Sequence, residues 1–254
     1  MAMDDWGNLT ERDFAIPTVS VGQGQSRNGK PGFFNFSTGE SVEKMEGVVL
    51  LQPVKKRKLF GELGSDKLLC WSDDYVNPSV KVENPVSKNC ITCPLGKWGN
   101  NCGSDDAAVR EPYIKKLNKD ANNPICDDIM SLLMMTKDGV PFYLQLRGKN
   151  FTVAKNELLT QLRVLGAKSP YQQTFDMSIK QAGDTKKGVV YVVVFSNFSW
   201  TDKVLIEQAI SLKTQVGQMV TDRQLESHSA PQLTHEATDD DEVPHPADND
   251  GLPF

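Results

Sequence analysis

Between Trp71 and Pro141 the chain holds four of its five cysteines, Cys90, Cys93, Cys102 and Cys126, in a stretch rich in Gly, Pro and Asn that has too few apolar residues to fold alone. A segment that cannot bury enough apolar surface stays unfolded unless something else orders it. The Cys-x2-Cys element at 90 and 93 brings two thiolates to one ion from a single tight turn, and two more sulfurs complete a tetrahedral site. The expectation is one structural metal held by Cys90, Cys93, Cys102 and Cys126, supplying the missing ordering energy. Zinc is preferred to an iron–sulfur cluster, since nothing else in the chain suggests redox work, although the ligands alone do not decide it. Disulfides are the alternative. A complete second Cys-x2-Cys pair is absent, which leaves Cys102 or Cys126 open as a bystander. Cys70, in the strand-like run KLLCW, is read as a buried core thiol.

Around that segment the hydropathy pattern is mainly that of strands. Phe142 to Lys149 alternates most cleanly, with Phe142, Leu144 and Leu146 on one face and Tyr143, Gln145 and Arg147 on the other. Gly32 to Phe36, Glu46 to Val54, Lys67 to Trp71, Phe175 to Ile179 and Val189 to Phe195 are also read as strands, the last buried on both faces. The run ending at Pro53 is expected to lead into a charged turn at Lys55 to Lys58. Two amphipathic helices are expected, Val153 to Leu165 and Ser199 to Val220. The predicted class is mostly β with α. The order fits an OB-like domain at residues 31–221, a five-stranded barrel interrupted by a cysteine insertion at 72–140 and ending in a C-terminal helix. Residues 1–30 are read as a flexible arm and 222–254 as a disordered acidic tail.

With 254 residues, 39% of them hydrophobic, the chain can build a real core. It has no apolar run long enough for a membrane span, and its first residues do not resemble a secretion signal, so a cytoplasmic location is expected. That location disfavours disulfides. All three histidines, His228, His235 and His245, lie in the hydrophilic C-terminal stretch, which makes a buried histidine base or a Cys/His dyad hard to build. From Glu226 to Phe254 there are eight acids and no Lys or Arg, so the overall charge of -5 divides into a body of +3 and a tail of -8. A mildly basic body with an acidic tail points to a protein that meets a polyanion and carries a competitor for it.

The chain ends Asp248-Asn249-Asp250-Gly251-Leu252-Pro253-Phe254, after Asp239-Asp240-Asp241-Glu242. This acidic segment closing on Pro-Phe resembles the C-terminal tip of bacterial and phage single-stranded DNA-binding proteins, with Leu252 where Ile is usual. The Cys-x2-Cys-Pro element followed by Trp98 and further cysteines is similar to phage members of that group that carry a metal insertion in an OB fold. The resemblance implies a non-catalytic protein that binds and protects single strands in replication, recombination or repair. It also implies that Asp248, Asp250, Leu252, Pro253 and Phe254 dock on partner proteins. A nuclease or recombination enzyme with a cysteine cluster, and a zinc-containing protein adaptor, are the competing readings.

Binding single strands without sequence preference needs aromatic platforms for bases and cations along the backbone. The candidates are Tyr143, Arg147 and Lys149 on the polar face of the alternating strand, Phe151 beyond it, Lys67, Trp71 and Tyr75, and the cluster Lys55, Lys56, Arg57 and Lys58. The alternative for Tyr143 and Trp71 is ordinary rim packing, and for the cluster a solvated turn.

Overall fold

The computed structural model describes residues 16–24, 29–61, 68–117, 119–185 and 188–229. The expected Lys67 contact, most of the N-terminal arm and the acidic tip with Asp248, Asp250, Leu252, Pro253 and Phe254 lie outside these residues. Among the described residues, nine strands form one mixed, curled half-barrel sheet: β1 (Thr18–Val21), β2 (Phe34–Phe36), β3 (Ser41–Val42), β4 (Lys44–Phe60), β5 (Leu68–Ser72), β6 (Asp127–Met135), β7 (Pro141–Arg147), β8 (Gln173–Thr185) and β9 (Gly188–Trp200). Their order is β3-β2-β1-β7-β6-β4-β8-β9, with β5 paired to β4 off this path. The β1–β7 pair is parallel and every other pair is antiparallel.

β4 organises the sheet. Its 17 residues pass through Pro53 and the basic cluster, where the sequence predicted a strand end and a turn. β8 flanks it along Lys44 to Val49 and β5 along Arg57 to Phe60, while β6 pairs with it from Val49 to Lys58. Pro53 falls between the β8 and β5 pairings, where β4 has β6 as its one ladder neighbour, and a residue without an N–H is tolerated there. The run Val48 to Leu51 is apolar at every position because both faces are covered. Val48 and Leu50 enter the interior with Met130, Leu132, Leu144 and Phe175, whereas Val49 and Leu51 lie beneath the C-terminal helix.

β7 carries Phe142, Leu144 and Leu146 inward as its alternation predicts. After it, Gly148 at φ 58 turns the chain into a helical segment made of α2 (Lys149–Val153), a π turn (Ala154–Leu158) and α3 (Leu159–Val164). Ala154, Leu158 and Leu162 from this segment plug the interior. Asn150, 5% exposed, accepts from the Val193 backbone N–H at 2.7 Å and donates to the Tyr191 carbonyl at 3.1 Å. Gln23 makes a similar pair of bonds with Tyr191, and the Gly24 N–H donates to the Val189 carbonyl. Side chains and a short backbone contact thus bridge β9 to α2 and to the chain just after β1.

Several expected boundaries move. β1 lies inside the stretch read as a flexible arm, and β6, a strand at the centre of the sheet, lies inside the stretch read as the cysteine insertion. The excursion between β5 and β6 is therefore shorter than expected, and it contains a helix that sequence reading missed, α1 (Ser104–Leu117). The last helix, α4 (Lys203–Ser229), begins after β9 has run on to Trp200, and its backbone continues past the boundary expected at 222. No helix among the described residues is long and apolar enough to cross a membrane.

Candidate nucleic-acid interface and cysteine cavity

Directly opposed residues of an antiparallel pair project to the same face, so the ladders show which side chains stand together. On the outer face the rows are Val54, Ser131 and Gln145, then Lys56, Ile129 and Arg147, then Trp71, Lys58 and Asp127. Arg147 is exposed, with its guanidinium 6.0 Å from the centre of the Phe60 ring. Lys58 is half-buried, and burial together with the neighbouring charges of Lys56 and Arg147 holds its ammonium below the ordinary lysine value, with Asp73 opposing. Lys56 reaches Asp73 at 3.2 Å in a pair open to water, and Asp127 is engaged by Lys119 at 2.8 Å. Lys56, Lys58 and Arg147 therefore crowd one face beside two aromatic rings, in an arrangement that a polyanion would relieve.

The basic cluster divides because it lies in a strand. Lys56 and Lys58 face outward with Arg147, whereas Lys55 and Arg57 take the opposite face. Arg57 is 6% exposed and does not belong to the outer cationic surface. Its Nε donates to Asp128 at 2.9 Å, and its other nitrogens donate to the Cys90 carbonyl and the Tyr75 hydroxyl. Tyr75, with φ 68, donates in turn to Asp128 at 2.8 Å and lies under the Arg57 guanidinium. Arg57 and Tyr75 are thus structural partners of one another. An added Cβ at Gly96 would strike the Arg57 guanidinium, which accounts for glycine there.

Three more candidates leave the expected surface. Tyr143 is half-buried against the cluster formed by Val49, Leu51, Leu133 and Met135 with Leu205 and Ala209 of α4, so α4 covers that end of the outer face. Phe151 packs on the interior cluster. Lys149 is exposed but begins α2, past the Gly148 turn, instead of continuing β7. Phe60, which sequence reading passed over, joins the surface because β4 extends to it.

The cysteines also redistribute. Cys70, Cys90, Cys93 and Cys126 line a cavity of about 10 Å³ together with Arg57 and Leu59. Cys102 is not among its lining residues. It accepts a hydrogen bond from Arg110 at 2.8 Å and donates to the Trp98 carbonyl at 3.3 Å. Arg110 is 1% exposed and also donates to the carbonyls of Lys97, Ala121 and Asn123, which fastens α1 to the loops around it. Burial pushes the Cys70, Cys90 and Cys126 thiols above the ordinary value, as for sulfurs inside a low-dielectric pocket. Among the described residues no three Cys, His, Asp or Glu side chains stand as a group that could hold a metal ion in their present positions. The donor types nonetheless suit zinc, since four cysteines are among the residues lining a space of about one small sphere.

No family model, curated protein or solved structure matches the chain.

Proposed function

We propose that the protein binds single-stranded DNA, without catalysis, on the outer face of β4, β6 and β7. The observation that carries this reading is the convergence of Lys56, Lys58 and Arg147 beside Phe60 and Trp71. Cations spaced along strands follow a phosphate backbone, and rings between them offer stacking platforms that suit any base. We read β4, β6, β7, β8 and β9 as the five strands of an OB barrel. Support comes from the pairing of β4 with both β6 and β8, and from the helical segment between β7 and β8. In such a barrel the second and third strands and the loop between the first and second carry the ligand. Here those parts correspond to β6, β7 and the cysteine excursion. Recruitment of replication, recombination or repair proteins through Asp248, Asp250, Leu252, Pro253 and Phe254 belongs to the same reading and rests on sequence alone.

Titration of a fluorescent oligothymidylate at several salt concentrations tests the proposal. Binding should weaken as salt rises, and Arg147→Ala or Lys58→Ala should each flatten the logarithmic slope by about 0.7. Trp71→Ala should cost about 1–3 kcal/mol with the slope nearly unchanged. Salt-insensitive binding, or wild-type slopes in both cation variants, would move the site elsewhere. Cleavage of the oligonucleotide in added magnesium would favour the nuclease reading, and absence of oligonucleotide binding would favour the adaptor.

A further inference from the structure

We infer that Cys70, Cys90, Cys93 and Cys126 form one zinc-binding tetrathiolate, and that Cys102 is not a ligand. The proposal rests on where the fold places the sulfurs and stands apart from the nucleic-acid reading. Cys70 comes from the middle of β5, Cys90 and Cys93 flank a tight turn, and Cys126 immediately precedes β6. Three stretches of chain distant in sequence thus deliver four thiols to one pocket. The pocket holds about 10 Å³, room for roughly one water-sized sphere, which suits a single ion better than an organic guest.

The frame around the pocket is fixed independently of the sulfurs. Backbone N–H groups of Ile125 and Cys126 both donate to the Leu95 carbonyl, at 2.8 and 3.0 Å, and Cys90 N–H donates to the Val76 carbonyl at 2.7 Å. Arg57 grips the Cys90 carbonyl from β4 and brings positive charge to the edge of the pocket, where a tetrathiolate would carry net negative charge. A cysteine side chain has a single heavy-atom torsion, so drawing its sulfur inward disturbs little else. On binding, each thiol gives its proton to water and forms a Zn–S bond of about 2.3 Å. Cys102 has a different environment, set by Arg110 and the Trp98 carbonyl on the α1 side of the excursion.

Elemental analysis and cobalt substitution of the full chain test the assignment. Wild type and Cys102→Ser should each hold close to one zinc per chain, while Cys70→Ser should lose more than about tenfold in zinc affinity. Should Cys70→Ser fail to fold, Cys70→His supplies a nitrogen ligand in its place. Its cobalt form should keep tetrahedral bands while losing about a quarter of the thiolate charge-transfer intensity. Wild-type protein offers a third measure. Iodoacetamide should label Cys102 alone while zinc is bound, and all five cysteines after chelation. A zinc-free wild type that does not take up added zinc would overturn the proposal. So would loss of zinc in Cys102→Ser with retention in Cys70→Ser, or protection of Cys102 with labelling of Cys70 in the zinc-bound protein. None of these readouts involves DNA, so failure here is distinguishable from failure of the binding proposal.

Discussion

Neighbouring residues of one basic run have opposite duties. Lys56 is a partly exposed cation whose ion pair with Asp73 lies open to water, so its truncation should change stability by less than about 0.5 kcal/mol. Arg57, one residue on, is buried and gives hydrogen bonds to Asp128, Tyr75 and Cys90. Replacing it with Met leaves the Cys90 carbonyl without this donor and the Asp128 carboxylate without its cation. Because Asp128 keeps partial access to water, the expected loss is on the order of 3 kcal/mol, at the lower end for a broken buried pair. Urea unfolding of Lys56→Ala and Arg57→Met should separate the two by their midpoints at constant m-value. A loss of about 1 kcal/mol or less in Arg57→Met would contradict the structural role. Composition alone reads KKRK as four equivalent charges, and the distinction appears only once the run is known to be a strand.

Elements with one clear periodicity were legible in the sequence, and elements whose burial depends on neighbours were not. Phe142, Leu144 and Leu146 alternate because β7 has one interior face, and the sequence reading found that strand. β6 is buried on both faces along Ile129 to Met135, so it has no alternation to read, and its three methionines are weak strand signals. β1 has only four residues and owes its place to β2 and β7 on either side. α4 was expected as an amphipathic helix, but the pattern could not say what it would cover. It packs Leu205, Ala209 and Val216 on Leu133, Met135 and Leu51, against the half-buried Tyr143. Ala209→Glu would force a carboxylate into that contact and should release the helix. Hydrogen exchange should then show lost protection in α4 with β4, β6 and β7 still protected, whereas unchanged protection in α4 would show that the helix does not depend on this face.

At the scale of the whole molecule, the sheet depends on a seam joined largely by side chains. β9 meets the chain after β1 through Gln23 and the Gly24 N–H, and meets α2 through Asn150. Replacing Asn150 with Leu preserves approximate size but leaves the buried Val193 N–H without its acceptor, at a cost of about 1–3 kcal/mol, while the Tyr191 carbonyl keeps the Gln23 amide as a donor. The measurable outcome is a fall in melting temperature with faster exchange confined to β9 and α2, and unaltered stability would rule out a sealing role for Asn150. Long-range convergence is also why the cysteine set was only partly legible. The sequence reading named Cys90, Cys93 and Cys126, which line the cavity, together with Cys102, which does not, and it left out Cys70, because membership of a cavity assembled from β5, a turn and the start of β6 depends on which strands become neighbours.

β4 separates its two surfaces by parity alone, with Lys56 and Lys58 on one side and Arg57 and Leu59 on the other. Inserting or deleting one residue between Val54 and Lys56 would exchange the two sets, driving lysines toward the cysteine pocket and turning the arginine out to solvent. A two-residue insertion keeps the parity and distorts only the spacing. Length changes in this strand should therefore be tolerated in even steps and rejected in odd ones, which places a reading frame of two on a stretch of chain whose composition shows none.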